Sequence, residues 1–455
     1  MDQVKTADQL KASPKAMGLL LFLTVLNILN MVDRTLIASF GPQIIADLNL
    51  TDSQFGALTG FIFVFFYAIM GLFMGALADR LHRPRLIAAG LLLWSVLTAV
   101  SGATKTFVQI GLARLFIGVG ESTMTPSAMS MISDLFPQRQ RGTAAGLYYL
   151  GVPLGAGGAF IVAGVLGPMI GWRNCFYLLG GIGIVLAGVL YMVKDPVRGA
   201  MEPAVDQNAP KVKEVIGWRE TLPEIFAVIR ANPALAWTML GAVFLHIPLG
   251  AGNFVMVWME RERGFELAEI QSLYGLIYII FGTAGTFLGG FLSDWYQSRW
   301  KGGRIRFLAI LMLLVAPLTL AFRFASPESP MFFIALAFAL FSVSSFYGPA
   351  FSTVQDLTPV RLRGLMTALL LVACNLVGMG IGALMTGFIS DLLAAAQVFE
   401  PLTKALLVGD GFGFFAAPSF IMASIYLERN RRAAAATAAA TAIKGAAAIK
   451  GAAVA

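Results

Sequence analysis

Charge is scarce in this chain of 455 residues. Only 13% are Asp, Glu, Lys or Arg, against about 25% in an ordinary soluble domain. That scarcity excludes a solvated globular enzyme and a disordered chain. Cysteine and histidine are nearly absent. Cys175 and Cys374 fall inside or beside apolar runs and form no disulfide framework. His82 and His246 are too few and too far apart for a metal cluster, so no metal and no cofactor is expected. No Gly-x-x-x-x-Gly-Lys-Ser/Thr occurs, which argues against an ATP-driven pump. No nucleophile–base constellation argues for an enzyme. The alternation of apolar and polar residues over about ten-residue segments that a membrane β-barrel needs is missing too.

What fills the chain is apolar sequence. Hydrophobic residues make up 58%, and mean hydropathy is +0.77. At about 20 residues per crossing of a bilayer, this suffices for roughly twelve helices. Apolar segments fall near 16–42, 53–78, 86–104, 107–134, 141–167 and 172–194, then near 234–259, 269–294, 305–325, 330–356, 363–392 and 409–428. The expected architecture is all-α, with twelve transmembrane helices in two six-helix bundles over 16–194 and 234–428. A 1–15 terminus precedes them. The linker 195–233 joins them and carries an interfacial helix at 214–230. A low-complexity tail, 429–455, follows, with a duplicated Ala-Ile-Lys-Gly-Ala-Ala. The lysines before the first run look like the start of a signal peptide. No small-residue cleavage site follows, and an uncleaved first helix is expected.

The charge of +8 is explained by topology rather than by nucleic acid. With both termini inside, 25 of the 33 Lys and Arg fall in inside segments and 6 in outside loops. Basic residues concentrate on the cytoplasmic side of membrane proteins, so both termini are expected there. Thr51-Asp-Ser-Gln54 reads as a capping box opening the second helix.

One short motif occurs twice. Gly75-Ala-Leu-Ala-Asp79-Arg80 ends the second helix, and Gly290-Phe-Leu-Ser-Asp294-Trp295 ends the eighth; each precedes a basic loop, Arg83 and Arg85 in the first. A glycine one turn before an acid lets a helix approach closely, and the acid can meet a neighbouring helix N-terminus. The element resembles the loop 2–3 signature of the major facilitator superfamily, and the resemblance implies that Gly75, Asp79, Arg80, Arg83, Gly290 and Asp294 are parts of a cytoplasmic gate. Two related six-helix halves match the architecture of major facilitator transporters.

Four charges lie inside apolar segments: Asp33, Arg34, Arg114 and Glu121. Each costs about 2.5–3.5 kcal/mol on insertion scales, so such groups face a polar cavity and partner one another. Arg114 and Glu121 are two turns apart on one face, positioned to cross over to the first helix. Asp33 and Arg34 point about 100° apart and need not pair with each other. Asp33 and Glu121 are expected to handle protons, with protonation of Asp33 freeing Arg34 for an anionic head group; Asn30 belongs to the same polar network. His246, near Pro248, reads as a hydrogen-bond partner at a helix kink. Phe65 on the second helix and Phe341, Phe346 and Tyr347 on the tenth are candidate walls of a greasy cavity.

Together these pieces resemble the Spinster-type lipid transporters of the major facilitator superfamily. The resemblance rests on Asn30-Met-Val-Asp33-Arg34, on Arg114-Leu-Phe-Ile-Gly118-Val-Gly120-Glu121-Ser122, on Pro153-Leu-Gly155-Ala-Gly157-Gly158 and on Asp195-Pro196-Val-Arg198-Gly199-Ala200. The first two also resemble elements of organic anion symporters. The resemblance implies a monomeric, proton-coupled secondary transporter in a membrane, the inner membrane of a bacterium being expected. It implies a lipid-like amphiphile as substrate, of the lysophospholipid or sphingoid phosphate class. An organic anion or drug transporter of the same fold is the alternative.

Overall fold

The computed structural model describes residues 13–201, 218–300 and 302–433. Among these residues the structure is helical throughout, with no strand. Eleven stretches are long and apolar enough to cross a membrane: helices 1 (Pro14–Ser39), 2 (Asp52–Ala78), 3 (Arg83–Ala103), 5 (Gln138–Val165), 6 (Gly167–Tyr191), 7 (Pro233–Arg261), 8 (Leu267–Arg299), 9 (Gly303–Phe324), 10 (Pro330–Asp356), 11 (Arg363–Ala395) and 12 (Pro401–Ala433). The missing member, helix 4, is broken into Phe107–Glu121 and Met124–Leu135. The order is the expected six plus six. A linker helix, Trp218–Ala231, overlaps the expected 214–230; the positions before 218 lie outside the described residues.

The helix starts follow local chemistry. The Ser13 side chain accepts from the Ala16 N–H, with Pro14 at the first helical position. Thr51 and Gln54 form both bonds of the capping box that opens helix 2. Helix 12 differs from expectation. It begins at Pro401 rather than near 409, because the Glu262 carboxylate accepts from the Leu402 and Thr403 N–H groups, both at 2.7 Å, and caps it. Asp410 therefore lies inside the helix.

Each half has its own core. One cluster gathers Leu23, Trp94, Met131 and Tyr148 of the first half. Another gathers Leu235, Ile305, Phe346 and Phe420 of the second. A third joins the halves, packing Phe55 and Phe160 against Phe254, Trp258 and Tyr274. This shared cluster lies at the face opposite the described chain ends.

At that opposite face the backbones of the two halves nearly touch. A methyl group at Gly56 of helix 2 would lie 2.4 Å from the Ala383 carbonyl oxygen of helix 11, and one at Gly157 of helix 5 would lie 2.6 Å from the Gly275 carbonyl oxygen of helix 8. Small residues permit such contact. Polar groups seal it: Arg261 donates to Asp52 at 2.8 Å, and the Asp391 carboxylate accepts from the Asp52 and Ser53 N–H groups at 3.0 and 2.8 Å. Toward the chain ends the same four helices stand free of one another. A methyl group at Gly75, Gly146, Gly290 or Gly364 would have no other group within 4 Å. The molecule is closed at one face and open at the face carrying the chain ends.

All four of these helices change winding at mid-length. Helix 2 breaks at Gly60 and helix 5 at Leu150, while helices 8 and 11 pass through π-helical stretches at Tyr278–Gly282 and Ala373–Gly380. The tight and the open segments lie on opposite sides of these points.

Candidate translocation site and gate

The four intramembrane charges of the first half converge. Arg34 on helix 1 donates from Nε and Nη2 to Glu121 Oε2 of helix 4, at 3.2 and 3.1 Å. Arg114 crosses the other way and donates to the Arg34 carbonyl at 2.7 Å. The guanidinium carbons of Arg34 and Arg114 lie 5.0 and 4.6 Å from the centre of the Phe63 ring, and Arg34 lies 4.3 Å from that of Tyr67. Ring faces attract cations, and more so where water is excluded. Asn30 is buried beside Glu121. The crossing between helices 1 and 4 is the one the sequence leads one to expect.

Asp33 departs from expectation. Its Oδ1 accepts from Thr98 Oγ1 of helix 3 at 2.7 Å, and its Oδ2 has no partner. It faces a small space between helices 1, 3 and 6, lined by Trp94, Ser95 and Leu179. The Arg34 guanidinium is bonded to Glu121 instead, so protonating Asp33 would not by itself release Arg34. The 100° offset between sequence neighbours explains this: Arg34 turns to helix 4 and Asp33 to helix 3.

Of the four members, the Arg34 side chain keeps the most access, 22%, while that of Glu121 is fully buried. Around Arg34 stand Tyr67 from the first half and Tyr347 from the second, within electrostatic reach of one another, with Tyr278 of helix 8 beside Tyr347. These residues border the space between the halves. Tyr347 is thus placed where the sequence suggests a cavity wall. Phe346 is not: it is fully buried among His246, Tyr347, Phe351 and Phe420, so it belongs to the core of the second half. The neighbouring position turns about 100° away and takes the core side. Phe65 stacks on Phe61 and meets Phe66 edge-on, on the side of helix 2 away from Phe63 and Tyr67. Phe341 is half-buried, its carbonyl packed where helix 8 carries Gly285. His246 Nδ1 lies 2.8 Å from the Ala242 carbonyl one turn earlier, as its place near Pro248 suggested.

A buried pair escapes the sequence reading. Arg323 of helix 9 donates to Asp410 of helix 12 at 2.8 Å, and both are nearly inaccessible. Both lie near the ends of apolar segments, 305–325 and 409–428, with no motif to mark them. The early start of helix 12 is what places Asp410 inside that helix, against the last turn of helix 9. Thr98 likewise lies in an apolar run with no motif around it.

At the open face the gate residues divide. Asp294 accepts from Arg304 Nε at 2.5 Å, and the same arginine donates to Asp356 at the end of helix 10. In the first half Arg83 is fully buried. It bonds to Asp134 at the end of helix 4, to Asp195 Oδ1 at 2.8 Å and to Ser130 at 3.0 Å. Arg83 thus ties its own bundle together rather than facing the other half. Arg80 is exposed, as is Asp79. Gly75 meets no neighbouring helix in this conformation, whereas the Gly290 backbone lies against Gly348 of helix 10, within its own half.

The paired six-helix halves, closed at one face and holding a charge cluster midway, are those of a membrane transporter. The description Major Facilitator Superfamily matches residues 23–383, and the chain belongs to that family. Within it the chain is of the Spinster type. It is 26% identical over 445 residues to protein spinster homolog 1 of Homo sapiens, covering 90% of this chain and 81% of that one. It is 27% identical over 398 residues to an MFS-type efflux pump of Mycolicibacterium smegmatis, covering 85% and 87%. Among solved structures, a bacterial homologue of the human lysosomal transporter Spinster, in an inward-facing and unoccupied conformation, superimposes with a TM-score of 0.78 at 26% identity, covering 91% of this chain and 98% of that one.

Proposed function

We propose that the chain is a proton-coupled secondary transporter of an anionic, lipid-like amphiphile, moved across a bacterial inner membrane with both termini cytoplasmic. The observation that carries this reading is Arg34: a partly accessible guanidinium at the wall between the halves, held on a buried carboxylate and ringed by aromatic side chains. A phosphate or carboxylate head group suits such a cation, since charge-assisted bonds to guanidinium are strong and directional. Tyr67 and Tyr347 add apolar ring surface with a hydroxyl at the edge. The head group and Glu121 would then share Arg34, and a proton on Glu121 would release the guanidinium to substrate. Asp33, set behind them against Thr98, is the second proton carrier.

The alternating-access cycle uses the faces already described. Closure of the cytoplasmic face would bring Asp79 toward the second half as the seal on the opposite face parts. The alternative cargo is a hydrophilic organic anion, which would use Arg34 in the same way but gain nothing from the rings. Uptake into proteoliposomes under one imposed pH gradient separates them. A lysophospholipid and a sphingoid phosphate are expected to accumulate and a sugar acid is not; the reverse ranking would overturn the lipid assignment.

A further inference from the structure

We infer that the segment after helix 6, Asp195 to Gly199, arms the gate acid Asp79 by keeping two things away from it: the charge of Arg83 and the negative end of its own helix. This rests on the reading of Asp79 as a cytoplasmic lock.

Asp79 stands in an unfavourable place. It caps the C-terminus of helix 2, where the helix dipole leaves unpaired carbonyls and repels an anion. Arg198 answers this directly. Its Nη1 donates to the Asp79 carbonyl at 2.6 Å, and its Nη2 to the carbonyls of Ala78 and Leu81, both at 2.8 Å. One guanidinium thereby satisfies three carbonyls at that helix end and offsets the negative end of the dipole, without bonding to the carboxylate.

The two halves show what Asp195 contributes. In the second half the loop arginine, Arg304, lies directly on the gate acid Asp294 and also holds Asp356. In the first half the loop arginine is Arg83, and the acid at the end of helix 4 is Asp134. Arg83 leaves Asp79 alone because Asp195 holds it from below. Asp195 accepts from the Arg83 N–H at 3.0 Å and from Nε at 2.8 Å, while the Pro196 carbonyl accepts from Nη2 at 2.7 Å. The Gly199 N–H, at a positive φ of 71° that suits glycine, closes the loop onto Asp134 at 2.8 Å. The Asp79 carboxylate is left with no ion-pair or hydrogen-bond partner among the described residues, available to a helix end of the other half. Asp294 is already engaged. The lock is therefore one-sided, and Asp195 and Arg198 are positioning residues for it.

The test uses the full-length protein in lipid nanodiscs, spin-labelled at Gln138→Cys and Ser298→Cys, exposed positions on the two halves at the open face. Double electron–electron resonance reads the ratio of closed to open populations there. Arg198→Ala and Asp195→Asn are each expected to lower that ratio roughly two- to fivefold, the size of helix-end charge effects, as Asp79→Asn does. Asp294→Asn should change it less than twofold. Arg198→Lys should retain most of the closed population. Adding Arg83→Gln to Asp195→Asn should restore it, because the arginine that would cancel Asp79 is gone; a purely structural role would give a further loss. Thermal melting checks each fold, and Arg198→Gln replaces Arg198→Ala if the latter does not fold. An unchanged ratio in folded Arg198 and Asp195 variants, beside a lowered one in Asp79→Asn, overturns the inference and leaves the lock standing. So does failure of Arg83→Gln to restore. An unchanged ratio in Asp79→Asn overturns the lock itself.

Discussion

At the scale of single residues, the chemistry is a matter of which buried charge holds which. The positions were legible: Asp33, Arg34, Arg114 and Glu121 stand out because ionisable groups in apolar runs are costly. The pairings were not. Arg34 and Glu121 meet across 87 positions, and Asp33 takes its hydrogen bond from a threonine that no motif marks. The Arg323–Asp410 pair was hidden for another reason, since the place of Asp410 inside helix 12 depends on where that helix starts. That pair carries a stability prediction. Asp410→Ala leaves Arg323 buried without its counter-charge, which costs about 3–5 kcal/mol. The melting temperature of the purified protein should fall clearly, and the double variant Arg323→Met with Asp410→Leu should recover most of the loss. A single variant as stable as the parent would show that water reaches the site.

At the scale of elements, the four helices that join the halves are built in two parts, tight toward the opposite face and free toward the chain ends. The helices themselves were legible from their apolar runs to within a few residues at most ends. The break at Gly60 and the π-helical stretches were not, because no proline marks them and each sits inside an apolar run; the break at Leu150 does precede Pro153, which has no N–H for the Tyr149 carbonyl. Glycine-rich sequence signalled close packing but not which partner, and Gly75 stays unpacked while Gly157 touches Gly275. The contact predicts a conformational effect. Gly157→Val places carbon against the Gly275 carbonyl, and overpacking of this kind costs about 1–3 kcal/mol. Roughly five- to hundredfold less of the form closed at the opposite face should remain. Cysteine accessibility of Asn253, near the seal at Thr59, should rise in proportion. Unchanged accessibility would mean that the seal is carried by the polar contacts of Asp52, Arg261 and Asp391 alone.

At the scale of the whole molecule, composition led to about twelve helices, and the spacing of the apolar segments with the repeat at Gly75–Asp79 and Gly290–Asp294 led to two halves. Sidedness rests on the distribution of basic residues, 25 against 6. The expectation is that Lys105→Cys and Arg173→Cys react with a membrane-impermeant thiol reagent only from outside intact cells, and Ser298→Cys only after the membrane is opened. Labelling of Ser298→Cys in intact cells would invert the molecule. What composition leaves open is the use of the cavity, because cargo is chosen by a few side chains around Arg34 and by how they change with the gate.

The most direct test joins the proton carriers to the cargo. Purified protein is reconstituted into liposomes, and movement of a labelled lysophospholipid is followed after an imposed pH jump. The wild type should move the lipid against its gradient in step with the pH difference. Asp33→Asn and Glu121→Gln should keep their fold and lose that uphill movement, retaining at most downhill exchange. Full pH-driven movement in both variants would make these charges structural and place the coupling elsewhere.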